Sequence, residues 1–501
     1  MSSATKIVEA AVKPRFAVDV LKLAAGTGLA QAVGIVTAPI IARLFSPEAF
    51  GVSAVFLSVT TILGIVECLR YESAILLPAK DEDAANVLAV SLSFVLLVTL
   101  LTVPCIWLSR RTFTGWLNAV GLSSCLSLLP VTVLLNGLYA VLRNWSTRKS
   151  EFGILSTAQL LISVCTVGAQ IAFGYAGSLT GRTLVVGSLV GLLVGTFLLG
   201  LQRLRTSCEV FSKVHWRKMI FALTRYARFP KYSTAGGILN GVSWQLPTFF
   251  LSSFFSQSIV GQYSLGNRLL RIPMNLIGLN IANVFAQRVS AATHESRKLF
   301  SQLVENTFRY LVSVSMFPCL ILSFIGKDLF VVICGERWGE AGVYTQILSI
   351  WVCFWFISSP LSTVLGILEE QALELRINVL IFSSRFLSLL IGCLAGSPRL
   401  TLGLFSATGV LVYGYYCLAI LRKSGVSAMK MFRILATNFG QFIPPAFILI
   451  VFKYYGASSL VVLGVSSLML VGYYFNLIRT DAMARGMFMT FLHRTVPADC
   501  P

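Results

Sequence analysis

The sequence predicts an all-α polytopic membrane protein with about 14 transmembrane helices. Of its 501 residues, 56% are hydrophobic and 12% are charged, and mean hydropathy is +0.80. A soluble domain carries about 25% charged residues, so this composition excludes an ordinary soluble enzyme. Apolar stretches of 18 residues or more recur from one end of the chain to the other, and each is long enough to cross a bilayer as a helix.

The distribution of basic residues predicts the topology. A formal net charge of +20 would suggest nucleic-acid binding in a soluble protein, but no nucleic-acid motif is present. With the N-terminus in the cytoplasm, about 29 Lys and Arg face inward and about 8 face outward, as the positive-inside rule requires. Both termini are therefore predicted to be cytoplasmic. The eleven cysteines form no CxxC pair and the three histidines lie far apart, so neither a metal nor another cofactor is expected.

A short internal repeat divides the chain. The segment RLFSPEAFG (43–51) and the segment SFFSQSIVG (253–261) align at an offset of 210 residues, which matches Phe45 with Phe255 and Gly51 with Gly261. Parallel repeats of this kind predict two six-helix lobes related by pseudo-twofold symmetry around a central cavity, followed by two extra helices. The predicted domains are an N-terminal lobe (1–202), a basic cytoplasmic linker (203–231), a C-terminal lobe (232–425), and two additional transmembrane helices with a cytoplasmic tail (426–501).

Two arginines interrupt the apolar segment 261–285. As a continuous helix this segment would rise about 37 Å, so Arg268 and Arg271 would lie at membrane depth, where a charge is costly. On a helical wheel they share a narrow polar stripe with Asn275, and such a stripe is expected to face a cavity. Two cations in a wet cavity indicate an anionic ligand. The alternative is that each arginine pairs with a carboxylate such as Glu67 or with helix-end carbonyls. The role of Arg385 stays open.

Other spans at the repeat interface carry small or polar residues that are expected to face the same cavity. Near the inner end of the second span, Glu67 and Arg70 lie close together in sequence. They form either a local ion pair or, if Glu67 titrates, a site that couples transport to an ion gradient. The predicted substrate-binding residues are Arg268, Arg271, Asn275, Asn240, Gln31, Ser58 and Thr61.

Four stretches, in order, resemble one family of membrane proteins. They are RLFSPEAFG, RYESAILLPAKDEDAANVLAVS (70–91), SWQLPTFFLSSFFSQSIVGQYSLGNRLLRIPMNLIG (243–278) and ICGERWGEAGVYTQILSIWVCFWFISSPLS (333–362). They resemble the polysaccharide-transport branch of the MOP exporter superfamily, the Wzx-like flippases of bacterial O-antigen, capsule and exopolysaccharide assembly. The resemblance covers about residues 15–425. The two additional C-terminal spans instead resemble the lipid II flippase branch.

The resemblance implies a V-shaped cavity between two lobes in the bacterial inner membrane. It implies transfer of an undecaprenyl-diphosphate-linked oligosaccharide from the cytoplasmic to the outer leaflet, without enzymatic chemistry. It leaves open whether the chain also contacts polysaccharide polymerase or chain-length proteins. Two other functions stay open. One is a multidrug or cation antiporter, which would favour carboxylates at membrane depth. The other is a membrane glycan polymerase or ligase, which would need a substantial outer loop.

Overall fold

A computed structural model describes residues 14–117, 121–206, 213–274, 278–480 and 485. All regular elements in these residues are helical. The chain divides into two compact units, unit 1 (Met1–Gly261) and unit 2 (Gln262–Pro501).

Unit 1 contains the first ten helices and the beginning of the eleventh. A six-residue π-helix, Phe229–Thr234, leads directly into the α-helix that begins at Ala235. The α-helices are α1 (Pro14–Leu44), α2 (Pro47–Val66), α3 (Tyr71–Ala74), α4 (Asp81–Trp116), α5 (Leu122–Leu126), α6 (Leu129–Arg148), α7 (Phe152–Tyr175), α8 (Gly181–Thr206), α9 (Trp216–Arg225), α10 (Ala235–Phe254) and α11 (Gln257–Leu270), the last of which continues into unit 2.

Unit 2 holds the remaining helices and one short 3₁₀ turn at Glu336–Trp338. Its longest helix has 38 residues, which exceeds the length needed to cross a bilayer. The α-helices are α12 (Leu279–Glu295), α13 (Arg297–Cys334), α14 (Gly339–Leu361), α15 (Thr363–Ile367), α16 (Gln371–Leu394), α17 (Pro398–Lys423), α18 (Ala428–Tyr454) and α19 (Ser459–Thr480).

Every predicted span corresponds to helical structure, and within the described residues 11 helices are long and apolar enough to cross a membrane. One prediction is wrong. The eighth span was expected to be a single helix, but α11 ends at Leu270 and Arg271 lies in a turn. Helical backbone resumes at Ile272, residues 275–277 are not described, and α12 begins at Leu279. Pro273 explains the break, because a proline inside a helix removes a backbone donor and clashes with the carbonyl four residues earlier. Asn275 falls in the residues that the structure does not describe, so the shared stripe of Arg268, Arg271 and Asn275 stays a prediction.

The two repeated segments form matching helix starts within unit 1. Ser46 accepts a hydrogen bond from the Ala49 amide, and Ser256 accepts one from the Ile259 amide, so both serines cap their helices. The glycines pack reciprocally. A Cβ atom on Gly51 would lie 1.8 Å from the carbonyl oxygen of Gln257, and one on Gly261 would lie 1.8 Å from that of Pro47. Because Gln257 follows Pro47 by the same 210 residues, this close approach has the symmetry that the repeat predicts.

The last two helices pack on α13 in unit 2. Pro318 lies inside α13 and cannot donate to the carbonyl of Val314. The Tyr474 hydroxyl donates to that carbonyl at 2.9 Å, while the Tyr473 ring stacks on Phe317 with 4.0 Å between centroids. The proline thus exposes an acceptor on α13, and α19 supplies the missing donor.

Candidate functional site

Unit 2 contains an aromatic platform that is built by two neighbouring helices. Trp351 and Trp355 lie one turn apart on α14, and their rings stack with centroids 6.2 Å apart. Tyr413 on α17 meets Trp351 edge to face at 6.4 Å. Gly409 makes room for this packing, because a Cβ atom there would lie 2.1 Å from the Trp351 ring. We call Trp351, Trp355 and Tyr413 the aromatic platform.

Two arginines lie on this platform. The guanidinium carbon of Arg385, on α16, is 5.9 Å from the ring centroids of both Trp351 and Tyr413, and its Nη2 donates to the Tyr413 hydroxyl at 2.8 Å. The guanidinium carbon of Arg271, just beyond the end of α11, is 5.9 Å from the Trp355 ring. All three guanidinium–ring distances lie within the range of cation–π attraction. The two positive charges also act on each other unfavourably. The platform therefore holds two like charges near each other.

The predicted arginine stripe is brought together only in part. Arg268 belongs to the last turn of α11 and is exposed, whereas Arg271 is half-buried beside Trp355. Asn275 lies outside the described residues. Arg385, whose role the sequence left open, is buried, with 4% of its surface exposed. The cationic pair observed in unit 2 is therefore Arg271 with Arg385, and Arg268 stays a prediction.

The predicted polar residues of unit 1 centre on α2 and α10. The Ser58 hydroxyl donates to the Gln245 side-chain oxygen at 2.9 Å and joins these two helices. The Thr61 hydroxyl donates to the Leu57 carbonyl at 2.7 Å within its own helix. Gln31 is half-buried and Asn240 is exposed. Ser58 thus has a packing role in addition to the predicted binding role.

The expected ion pair between Glu67 and Arg70 is wrong. Arg70 instead lies 4.0 Å from the Glu72 carboxylate. The helix ends at Val66, and Leu69 and Arg70 adopt positive φ angles of 48° and 63°, so Glu67 and Arg70 are not one helical turn apart.

Glu67 lies just outside the membrane-spanning part of α2 and is only 3% exposed. Burial, together with the nearby charge of Glu72, raises the pKa of Glu67 to about 9. Its Oε2 atom has no hydrogen-bond partner among the described residues. The carboxyl of Glu67 therefore holds a proton at neutral pH.

Sequence reasoning missed the aromatic platform. The spacing of Trp351 and Trp355, four residues apart in one span, was a visible signal, because such residues share a helix face. Tyr413 and Arg385 lie on other helices, and their approach to Trp351 depends on tertiary packing that no local pattern encodes.

The helices and the buried cations together define an integral membrane protein with a polar site inside an otherwise apolar helical unit. Within that class, the chain belongs to the family described as polysaccharide biosynthesis protein, whose model matches residues 40–342. A curated relative, the succinoglycan biosynthesis transport protein ExoT of Rhizobium meliloti (strain 1021), is 25% identical over 63% of this chain. That match spans 62% of the relative's length, which is less than two thirds.

Solved structures share the fold. The lipid II flippase MurJ, in an inward closed conformation, matches with a TM-score of 0.70 and 11% identity over 91% of this chain and 98% of its own. An inward-facing multidrug resistance MATE family transporter of the MOP superfamily matches with a TM-score of 0.62 and 14% identity over 80% of this chain and 94% of its own. The predicted fold class and the predicted family resemblance are both confirmed.

Proposed function

We propose that this chain is a flippase for polysaccharide biosynthesis. It moves a lipid-diphosphate-linked oligosaccharide from the cytoplasmic to the outer leaflet of the bacterial inner membrane, with both termini in the cytoplasm. The observation that carries the proposal is the Arg271–Arg385 pair on the aromatic platform. Membership of the polysaccharide biosynthesis family, and a relative that is named a transport protein, support the same function.

The chemistry of the pair favours a diphosphate. The planar guanidinium of arginine presents its N–H donors in a geometry that matches phosphate oxygens, with which it forms paired hydrogen bonds. The hydroxyl of Tyr413 fixes Arg385 from one side at 2.8 Å, so part of the ordering precedes binding. A diphosphate would also neutralise the repulsion between the two arginines. Anion binding thus relieves an unfavourable interaction that is already present in the protein.

Transport would proceed by alternating access, with the polar head of the substrate inside the protein and the lipid tail in the bilayer. The carboxyl of Glu67 is the candidate for coupling this movement to a proton gradient, because it holds a proton while it is buried and would release it if the movement exposed it to water. Gln31, Ser58, Thr61, Asn240 and Asn275 are proposed to line the path of the sugars.

A multidrug or cation antiporter is the second candidate, since a MATE transporter shares the fold. An organic cation would be repelled by the positive charges of Arg271 and Arg385 beside the aromatic platform. The charge of the site therefore favours an anionic cargo over a cationic one.

A binding measurement tests the site. Purified protein is titrated with a short-chain polyprenyl diphosphate oligosaccharide. Either Arg271→Ala or Arg385→Ala is expected to weaken binding about 10-fold to 150-fold, since a hydrogen bond to a charged group contributes about 1.5–3 kcal/mol. Lysine at either position should restore part of the affinity, because it keeps the positive charge but lacks the planar pair of guanidinium N–H donors.

The matched control is Arg376→Ala, which removes an exposed arginine from the same helix as Arg385. This variant should bind as the wild type does. If all three alanine variants bind equally well, the platform arginines do not form the diphosphate site.

A further inference from the structure

Unit 2 contains a polar pocket, which is lined by α13, α18 and α19 and has a volume of about 360 Å³. It shares no lining residue with the aromatic platform. Nine of its eleven lining residues are polar, although all three helices are apolar enough to span a membrane. Polar side chains on membrane-spanning helices cost free energy unless a ligand, water or lipid headgroup satisfies their hydrogen bonds.

The charge of the pocket is positive. Arg309 and Arg433 both line it. The Glu305 carboxylate lies 3.4 Å from Arg309 and 2.8 Å from Lys430, so one carboxylate serves two cations. Arg433 adds a third positive charge, and the described residues of this cluster therefore carry a net positive charge. The pocket is suited to an anion, and the planar forks of the arginines suit phosphate in particular.

The floor of the pocket is ordered by contacts within the protein. The Tyr473 hydroxyl donates to the Ser313 carbonyl at 2.7 Å, and its ring stacks on Phe317. The side-chain amide of Asn438 donates to the Ile434 carbonyl at 2.9 Å. Ser313 and Asn438 are both buried. The pocket thus has a fixed base, and its arginines lie at an exposed mouth.

The depth and the rim of the pocket point to a lipid headgroup. Arg433 lies about 8 Å from the start of α18, and Gln441 lies about 12 Å further along the helix, so the pocket runs from headgroup depth into the bilayer core. Phe439 and Phe475 follow or precede lining asparagines directly in sequence, and they are 50% and 70% exposed. Because neighbouring residues on a helix lie about 100° apart, these exposed rings flank the face of α18 and α19 that lines the pocket, and they offer apolar surface to acyl chains there.

We propose that this basic pocket (α13, α18 and α19, with Arg309 and Arg433 at its mouth) binds the phosphate headgroup of an anionic phospholipid. The two arginines contact the phosphate, the amides of Gln441 and Asn476 contact the polar part of the headgroup, and the acyl chains lie against the exposed aromatic rings. The site occupies the end of α18 that the positive-inside rule places in the cytoplasm. It is independent of the substrate proposed above.

Native mass spectrometry of the protein in neutral detergent tests this site. With phosphatidylglycerol and phosphatidylcholine at equal concentration, the wild type should retain phosphatidylglycerol preferentially. The double variant Arg309→Gln/Arg433→Gln should lower the apparent affinity for phosphatidylglycerol at least about 10-fold. The variant Arg309→Lys/Arg433→Lys should retain most of the preference, because both charges remain.

The matched control is Arg297→Gln/Arg422→Gln, which removes two exposed arginines from α13 and α17 outside the pocket. It should leave phosphatidylglycerol binding unchanged. Equal losses in the pocket and control variants would reduce the effect to net charge and overturn the site.

Two competitors separate the sources of phosphate. Phosphatidylglycerol should resist displacement by inorganic phosphate and by undecaprenyl diphosphate at equal concentration. Displacement by inorganic phosphate would make this a simple anion site, and displacement by undecaprenyl diphosphate would assign the pocket to the lipid carrier. Either result would overturn the phospholipid assignment.

Discussion

The reciprocal glycine contact predicts a large effect of a single methyl group. In Gly51→Ala the new Cβ atom would lie 1.8 Å from the Gln257 carbonyl oxygen, whereas ordinary contacts begin at 3.4 Å. The two helix starts must then separate by about 1.6 Å, and neither side of the contact is a flexible side chain. Overpacking costs about 1–3 kcal/mol, and a backbone clash belongs at the upper end of that range. A loss of about 3 kcal/mol, at about 2 °C per kcal/mol, should lower the melting temperature by about 6 °C.

The same clash recurs at Gly261, where Ala would meet the Pro47 carbonyl at the same distance. Thermal unfolding in detergent should show equal losses for the two single variants. The double variant should lose less than their sum, because one separation of the helices relieves both clashes. Gly168→Ala is the control, since a Cβ atom there meets nothing within 4 Å. The reasoning fails if Gly51→Ala melts with the control, or if the two losses add fully.

Two further predictions concern buried polar groups. The folded chain keeps the proton of Glu67 up to about pH 9, while the unfolded chain releases it near 4.5. Stability should therefore fall as pH rises between these values, by up to about 1.4 kcal/mol per pH unit. The slope should be smaller in Glu67→Gln, where Glu72 still contributes because burial also raises its pKa, and it should be unchanged in Glu336→Gln. An unchanged slope in Glu67→Gln would contradict the raised pKa of Glu67. Tyr474→Phe leaves the Val314 carbonyl without its donor and should cost about 1–3 kcal/mol, against no loss for the exposed Tyr415→Phe. Equal melting temperatures of these two variants would show that the hydroxyl is dispensable.

Hydropathy could predict nearly all of the helices, because the length of an apolar stretch and the thickness of a bilayer are sufficient for that inference. It could not locate the break after Leu270, since a helical wheel assumes that the helix continues through Pro273. The repeat was visible because glycine is needed wherever two backbones approach closely, and both copies keep theirs at Gly51 and Gly261.

The candidate site was only partly predictable. The cost of burying a charge predicted a special role for Arg271. Its neighbour Arg385 lies on another helix, and the proximity of the two arginines depends on how α14, α16 and α17 pack. Local spacing also suggested that Glu67 pairs with Arg70. The left-handed backbone at Leu69 and Arg70 turns the chain and leaves Glu72 as the partner of Arg70.

Transport of a labelled lipid-linked glycan in proteoliposomes tests the proposed function most directly. Glycan moved to the opposite leaflet is detected by its accessibility to an impermeant glycosidase. The wild type and Arg376→Ala should accelerate this transfer above protein-free liposomes, whereas Arg271→Ala/Arg385→Ala should not. A wild type that transfers no faster than empty liposomes would contradict the flippase assignment, and a double variant with the wild-type rate would contradict the role of the two arginines.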